Sequence, residues 1–159
     1  MAHILFVCTA NICRSPVAEG LLRERLRENG LESWQVSSAG TWARFQRSAA
    51  KHSIDVLGEQ GIDISSHRAR EVTGAMLEEA DLILCMETGH AEALRAEFPE
   101  IADKIHLLTE MAGHPYSVED PYGGPRSEFE QMVGELSDLL ERGLPRITEL
   151  ARENARKHT

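Results

Sequence analysis

A cysteine and an arginine six positions apart are the pair in this chain best placed to do chemistry. Cys8 and Arg14 enclose Thr9, Ala10, Asn11, Ile12 and Cys13, and Ser15-Pro16 follows at once. A thiolate at the centre of a tight loop is a nucleophile. A planar guanidinium at the loop's end grips two oxygens of a tetrahedral anion. The backbone N–H groups of residues Thr9 to Ser15, gathered at a helix start, form a nest for the remaining oxygens of a phosphate. The field of that nest favours thiolate over thiol. The expected chemistry is attack of Cys8 on phosphorus, with Arg14 binding tighter as charge develops. The Ser15 hydroxyl then bonds the Cys8 sulfur, making it a better leaving group in a second step. The bland alternative is a buried, inert cysteine near a surface arginine. Placement between an apolar strand and a helix start decides against it.

The elements around the pair follow from pattern. Ile4 to Val7 is a short continuous apolar run, suited to a strand buried on both faces with Cys8 at its carboxyl end. Ser15 is read as an N-cap and Pro16 as the first helical residue. Val17, Leu21, Leu22 and Leu26 then make one helical stripe to about Glu28, stopped by Asn29-Gly30. Asn11 fits a left-handed position within the loop. Trp34 to Ser38 reads as a second strand, and Ser38-Ala39-Gly40-Thr41 turns at the sheet's carboxyl edge. Ala49 to Gln60 reads as a helix with Ile54 and Leu57 facing in. Asp81 to Met86 is a third strand, in which Cys85 is inert core. Thr88 caps a helix through Phe98, and Ile105 to Leu108 is the fourth strand. Met111 to Pro125 is a long loop of the kind that carries function. From Ser127 an amphipathic helix runs through Phe129, Met132, Val133, Leu136, Leu139 and Leu140, with a kink or fresh start at Pro145. Arg152 to Thr159 reads as a solvated tail. The order β-α-β-α-β-α-β predicts an α/β fold: one domain over 1–159, a four-stranded parallel sheet, helices on both faces and a phosphate-binding loop after the first strand.

Composition narrows the partners. At 159 residues the chain is long enough to bury about 70% of its unfolded surface. Its formal net charge of −9, from 17 Lys plus Arg against 26 Asp plus Glu, disfavours nucleic acid. Phosphate capture must therefore be local, in a pocket with its own positive field. No apolar run approaches a membrane span and no signal peptide is visible. Three cysteines without framework spacing point to a reducing compartment, so the expected location is the cytoplasm. None of the seven histidines shows ligand spacing, and neither metal nor cofactor is expected. A monomer is expected.

Val7-Cys8-Thr9-Ala10-Asn11-Ile12-Cys13-Arg14-Ser15-Pro16 resembles the signature loop of the low-molecular-weight protein tyrosine phosphatases. Ser38-Ala39-Gly40-Thr41, His67 with Ala69-Arg70, Asp81 to Met86 and Asp120-Pro121-Tyr122 recur in that family's order, so the resemblance covers nearly the whole chain. It implies hydrolysis of phosphotyrosine on a protein through a cysteinyl phosphate. Asp120 matches the family's general acid, which protonates the leaving phenol and then serves as base for water. His67 is implied to stand behind the loop, bonded to the Asn11 side chain. Trp42 either packs over the sheet edge or walls the pocket, as an aromatic of this loop does in the family, and Tyr122 lines its mouth. Ile12 points toward the first substrate atoms beyond phosphorus.

Other readings differ at named residues. Protein arginine phosphatases share the fold, and the Thr-x-Asn start of the loop and Gly123-Gly124 look like that bacterial branch; Ile12 does not, because they carry Thr there. Arsenate reduction needs two further cysteines near the third strand, where Cys85 stands alone. A sugar-phosphotransferase carrier would need neither Arg14 nor Asp120. A phosphoprotein-binding module that had lost turnover would not keep Cys8, Arg14 and Asp120 together. Cys13, five positions from Cys8 in a loop curled around one anion, is expected as its redox partner, forming a reversible disulfide under peroxide.

Overall fold

Ile4, Leu5, Phe6 and Val7 are wholly buried, and their side chains alternate between two apolar layers. They form the centre of strand β1 (His3–Cys8) in the computed structural model, which describes residues 1–43 and 45–157. Ile4 and Phe6 face one layer with Leu82 and Leu84. Leu5 and Val7 face the other with Ile83 and Cys85. Strands β2 (Gln35–Gly40), β3 (Leu82–Cys85) and β4 (Ile105–Leu107) complete a parallel sheet of order β2-β1-β3-β4. The chain steps one way from β1 to β2 and the other way to β3. The carboxyl end of β1, where Cys8 sits, is thus the point at which strand order reverses and ligands of such sheets bind.

Helices α1 (Arg14–Glu28), α2 (Lys51–Gly58) and α5 (Arg126–Lys157) pack on the first layer. Helices α3 (Gly74–Glu79) and α4 (Thr88–Glu97) cover the second. The α/β architecture with helices on both faces is as expected. Helix α3 was not anticipated: its six residues are too few for a periodic signal, although Thr73 caps it by accepting from the Met76 N–H at 3.2 Å. Two 3₁₀ turns, Pro99–Lys104 and Leu108–Ala112, flank β4.

Four local expectations change. Thr88 is the first residue of α4 rather than its cap; the cap position is Glu87, whose side chain makes no cap bond because it is turned to Arg14. The residue before α1 is Cys13, which makes no side-chain cap, and Ser15 lies inside the helix with its hydroxyl turned elsewhere. Helix α5 neither stops nor restarts at Pro145, and the Thr148 hydroxyl donates to the carbonyl of Leu144 at 2.9 Å in that turn. Its passage over the second 3₁₀ turn needs Gly143, where a Cβ would meet the Met111 Cβ at 2.9 Å. The end of α5 is not a solvated tail either. Ala151 is buried, Arg152 lies over the Trp34 ring, and the Asn154 amide donates to the Asp81 carbonyl at 2.8 Å. His158 and Thr159 lie outside the described residues.

Candidate active site

The loop from Thr9 to Cys13 is held from behind. Asn11, wholly buried with φ +59°, takes the left-handed conformation expected of it. Its amide N–H₂ donates to Ser15 Oγ at 2.7 Å and Ser38 Oγ at 2.9 Å, and its Oδ1 accepts from the Arg70 N–H at 3.0 Å. With the side chain thus occupied, His67 binds the Asn11 carbonyl instead, Nε2 to O at 2.7 Å. His67 does stand behind the loop, but the expected bond to the Asn11 side chain is replaced by one to its backbone. Strand β2 closes the other side: the N–H groups of Thr41 and Trp42 donate to the carbonyls of Cys8 and Thr9 at 2.9 and 2.8 Å. Gly40 permits this approach, since a Cβ there would sit 2.5 Å from the Thr9 carbonyl oxygen and 3.0 Å from the Asn11 nitrogen.

Ser15 Oγ lies 2.9 Å from Cys8 Sγ. Oγ already accepts from Asn11 and keeps its own proton, so it can donate to the sulfur once Cys8 is a thiolate, which has no proton to give. Ser38 passes the network outward by donating to Glu19 Oε1 at 2.6 Å.

Arg14 is 1% exposed. One terminal nitrogen donates to the Val118 carbonyl at 2.7 Å, and the other lies 2.7 Å from Glu87 Oε2 and 3.6 Å from Asp120 Oδ2. Its Nε is buried with no partner among the described residues. Burial pushes the Glu87 pKa up, but the hydrogen bond and charge of Arg14, with His90 and Thr9 adding to them, outweigh it and hold the carboxyl below its usual range. His90 Nε2 is 3.0 Å from Thr9 Oγ1, and that hydroxyl is 3.4 Å from Glu87 Oε2. His90 Nδ1 is buried without a partner among the described residues. A bare acceptor costs less there than an unpaired N–H, so the proton belongs on Nε2. The chain of donors then runs from His90 through Thr9 to Glu87, against Arg14. Burial, and secondarily the Arg14 charge, lower the His90 pKa, while Glu87 opposes them.

Asp120 comes from the long loop, which is tied down on both sides of it. The Val118 N–H donates to the Met86 carbonyl at 2.8 Å, and Asp120 Oδ1 accepts from the Tyr122 N–H at 3.1 Å. Cys8, Ala10, Ile12, Cys13, Arg14, Asp120 and Tyr122 line one small hollow. Two larger clefts open from it. One of about 530 Å³ is walled by Trp42, Phe45, Tyr122 and Asp120; the other, about 580 Å³, runs from Ile12 and Tyr122 to Lys51 and Phe129. Trp42 and Tyr122 are 62% and 61% exposed, at the mouth of these clefts. Cys85 is buried in β3 away from this site, and burial pushes its thiol up to about 12. Among the described residues, no group of three His, Cys, Asp or Glu side chains is placed to hold a metal, and no helix is long and apolar enough to cross a membrane.

The sequence-predicted residues Cys8, Thr9, Ala10, Asn11, Ile12, Cys13, Arg14, Ser15, His67, Trp42, Asp120 and Tyr122 all converge here. Missed were Glu87, His90, the Thr9 hydroxyl, Ser38 with Glu19, Arg47, which lines both clefts, and the close contact at Gly40. Glu87 carried one available signal: it lies two residues past a buried strand, where ligand loops of open sheets gather.

The sequence profile described as low molecular weight phosphotyrosine protein phosphatase matches residues 3–156, and the chain belongs to that family. The low molecular weight protein-tyrosine-phosphatase Etp of Escherichia coli K12 is 34% identical over 91% of this chain and 94% of its own length. The protein-arginine-phosphatase of Bacillus subtilis is 36% identical over 86% of this chain and 91% of its own length. The crystal structure of a low molecular weight protein tyrosine phosphatase from T. tengcongensis superposes with a TM-score of 0.87 at 39% identity, covering 92% of this chain and 99% of that one. The protein is thus a phosphatase of this fold, with Cys8 and Arg14 at the phosphate-binding loop.

Proposed function

We propose that the protein hydrolyses phosphotyrosine on protein substrates, with Cys8 as nucleophile, Arg14 as clamp and Asp120 as general acid and base. The observation that carries this reading is the Ser15 hydroxyl 2.9 Å from Cys8 Sγ, at the floor of a hollow that Arg14 and Asp120 also line. Phosphate oxygens are held by the N–H groups of Thr9 to Ser15 and by Arg14, whose orphaned Nε is a donor in need of an acceptor. The Cys8 thiolate attacks phosphorus as the P–O bond to the substrate breaks, and Asp120 gives its proton to the leaving phenolate oxygen. In the second half Asp120 takes a proton from water, water attacks phosphorus, and the Cys8–P bond breaks. Ser15 then stabilises the departing thiolate. Asn11 and His67 hold the loop in the shape these steps need.

Ile12, Trp42 and Tyr122 supply flat apolar surface that suits a phenyl ring. A guanidinium would want acceptors in the place Ile12 occupies. The second reading, protein arginine phosphatase, is favoured by Gly123-Gly124 after Tyr122 and by the similarity to relatives so named. Competition among phosphotyrosine, phosphoarginine and phosphoserine peptides separates the two. The expected order of kcat/KM puts phosphotyrosine first, with Ile12→Thr moving the balance toward phosphoarginine by about tenfold, the scale of one or two lost apolar contacts. Preference of the wild-type protein for phosphoarginine overturns the assignment. The protein is further proposed to act as a monomer in the cytoplasm.

A further inference from the structure

The hollow over Cys8 lies between two clefts of opposite character that share Arg47 and Tyr122 as walls. On one side Trp42 and Phe45 offer apolar surface, and Asp120 adds a negative charge. On the other side the lining residues include Arg47, Lys51 and His52 and no aspartate or glutamate, in a chain whose net charge is −9. The cationic cleft is continuous with the hollow because Ile12 and Tyr122 wall both. Its position relative to the phosphate-binding loop is fixed by backbone. The Ala50 N–H, immediately before Lys51, donates to the Ile12 carbonyl at 2.8 Å, and the Ala69 N–H donates to the Arg47 carbonyl at 2.7 Å.

From this we propose that the cleft between Tyr122 and Lys51 receives an acidic side chain flanking the phosphorylated residue of the protein substrate. The inference rests on the protein phosphatase reading and adds a sequence preference to it. A polypeptide whose phosphorylated side chain fills the hollow must leave along the two clefts. A carboxylate on the Lys51 side meets Arg47 and Lys51 with no carboxylate in the lining; on the Trp42 side it meets Asp120 beside Arg47. Apolar residues suit that second side, so the site is polarised along the substrate chain. Lys51 presently pairs with Asp55 at 2.5 Å, an exposed contact one helical turn away that a substrate carboxylate readily displaces. Arg47, lying over the Tyr122 ring at 5.8 Å, keeps its charge at the boundary between the clefts.

The test measures kcat/KM for one phosphopeptide sequence with alanine, glutamate or lysine at the positions next to the phosphorylated residue, on either side in turn. The phosphorylated residue is whichever one the protein turns over. Glutamate on one side is expected to raise kcat/KM by about two- to fivefold over alanine, the effect of a single solvent-facing ion pair, and lysine there to lower it. The preference should shrink as salt is raised and charges are screened. Lys51→Glu should reverse it while leaving p-nitrophenyl phosphate hydrolysis unchanged. That variant is expected to fold, because Lys51 is exposed at the start of α2, where a negative charge is favoured. Equal rates for the three peptides, or an acidic preference that survives Lys51→Glu, overturns the inference while leaving the phosphatase reading intact. Failure to hydrolyse both the peptides and p-nitrophenyl phosphate overturns that reading and the inference with it.

Discussion

Replacing Glu87 by Gln keeps the shape of the side chain and removes the charge that meets Arg14. The pair is lopsided: the guanidinium is 1% exposed and the carboxylate 37%. Breaking a fully buried pair from one side costs about 3–5 kcal/mol, whereas an exposed pair is worth about 0–1. Glu87 keeps part of its hydration, and the Gln amide oxygen still accepts from the 2.7 Å contact, so the loss falls between these limits, near 1–2 kcal/mol. A second consequence follows from the next carboxylate. Asp120 Oδ2 is already 3.6 Å from the same guanidinium nitrogen, and with Glu87 neutral it becomes the nearest anion to a buried cation. Drawn onto Arg14, it is turned away from the leaving group it must protonate. The expected outcome is a fall in kcat of about tenfold, or about 1.4 kcal/mol. The loss should be larger for aryl phosphates with poor leaving groups, and Tm should fall by about 2–8 °C. Steady-state kinetics over a series of substituted phenyl phosphates, with thermal unfolding of the same samples, measures both. A kcat within twofold of wild type alongside a lowered Tm refutes the reasoning, since Glu87 would then stabilise the fold without keeping Asp120 off Arg14.

Asp120→Asn should lower kcat strongly for poor leaving groups and little for good ones; a loss independent of leaving-group pKa marks Asp120 as structural. Burial, then the charges of Asp120 and Cys8, push the Cys13 thiol up to about 12, so Cys13 stays protonated while peroxide oxidises Cys8 first. Attack of the Cys13 sulfur on the Cys8 sulfenic acid, with loss of water, should give a disulfide, seen by mass spectrometry as a loss of two hydrogens on the Cys8–Cys13 peptide. Sulfinic or sulfonic acid at Cys8 as the sole products counts against it. His90, whose pKa burial lowers from 6.5, binds its proton less readily folded than unfolded. That contribution to stability is present above the unfolded pKa and is lost as pH falls through the folded one. Urea unfolding at pH 7 and pH 5.5 should therefore show a smaller loss for His90→Gln than for wild type, with His3, lowered mainly by burial, supplying the slope that remains.

What could be read from sequence, and what could not, divides by how far apart the contacting residues lie. Strand β1, its loop and the start of α1 are consecutive, so their types and spacing located Cys8, Arg14 and Ser15 without knowledge of the fold. Even there, local rules misled where the site claimed a side chain. Ser15 looks like a cap because serine usually bonds its own helix, yet Cys8 and Asn11 take its hydroxyl. His67 was assigned to the Asn11 amide, which Ser15 and Ser38 already occupy, leaving the carbonyl. Glu87 and His90 lie far along the chain, and only strand order brings them in. Residues Val7 and Cys85 are register partners across parallel β1 and β3. Carried two residues further, that register sets Glu87 opposite Thr9, which is where the 3.4 Å contact between them is found. Gly40 follows the same logic on the other side, as the register partner of Cys8 in β2. The residues that flank the nucleophile are therefore fixed by the β2-β1-β3 order. That order depends on which faces the helices cover, and no local pattern near Cys8 encodes it.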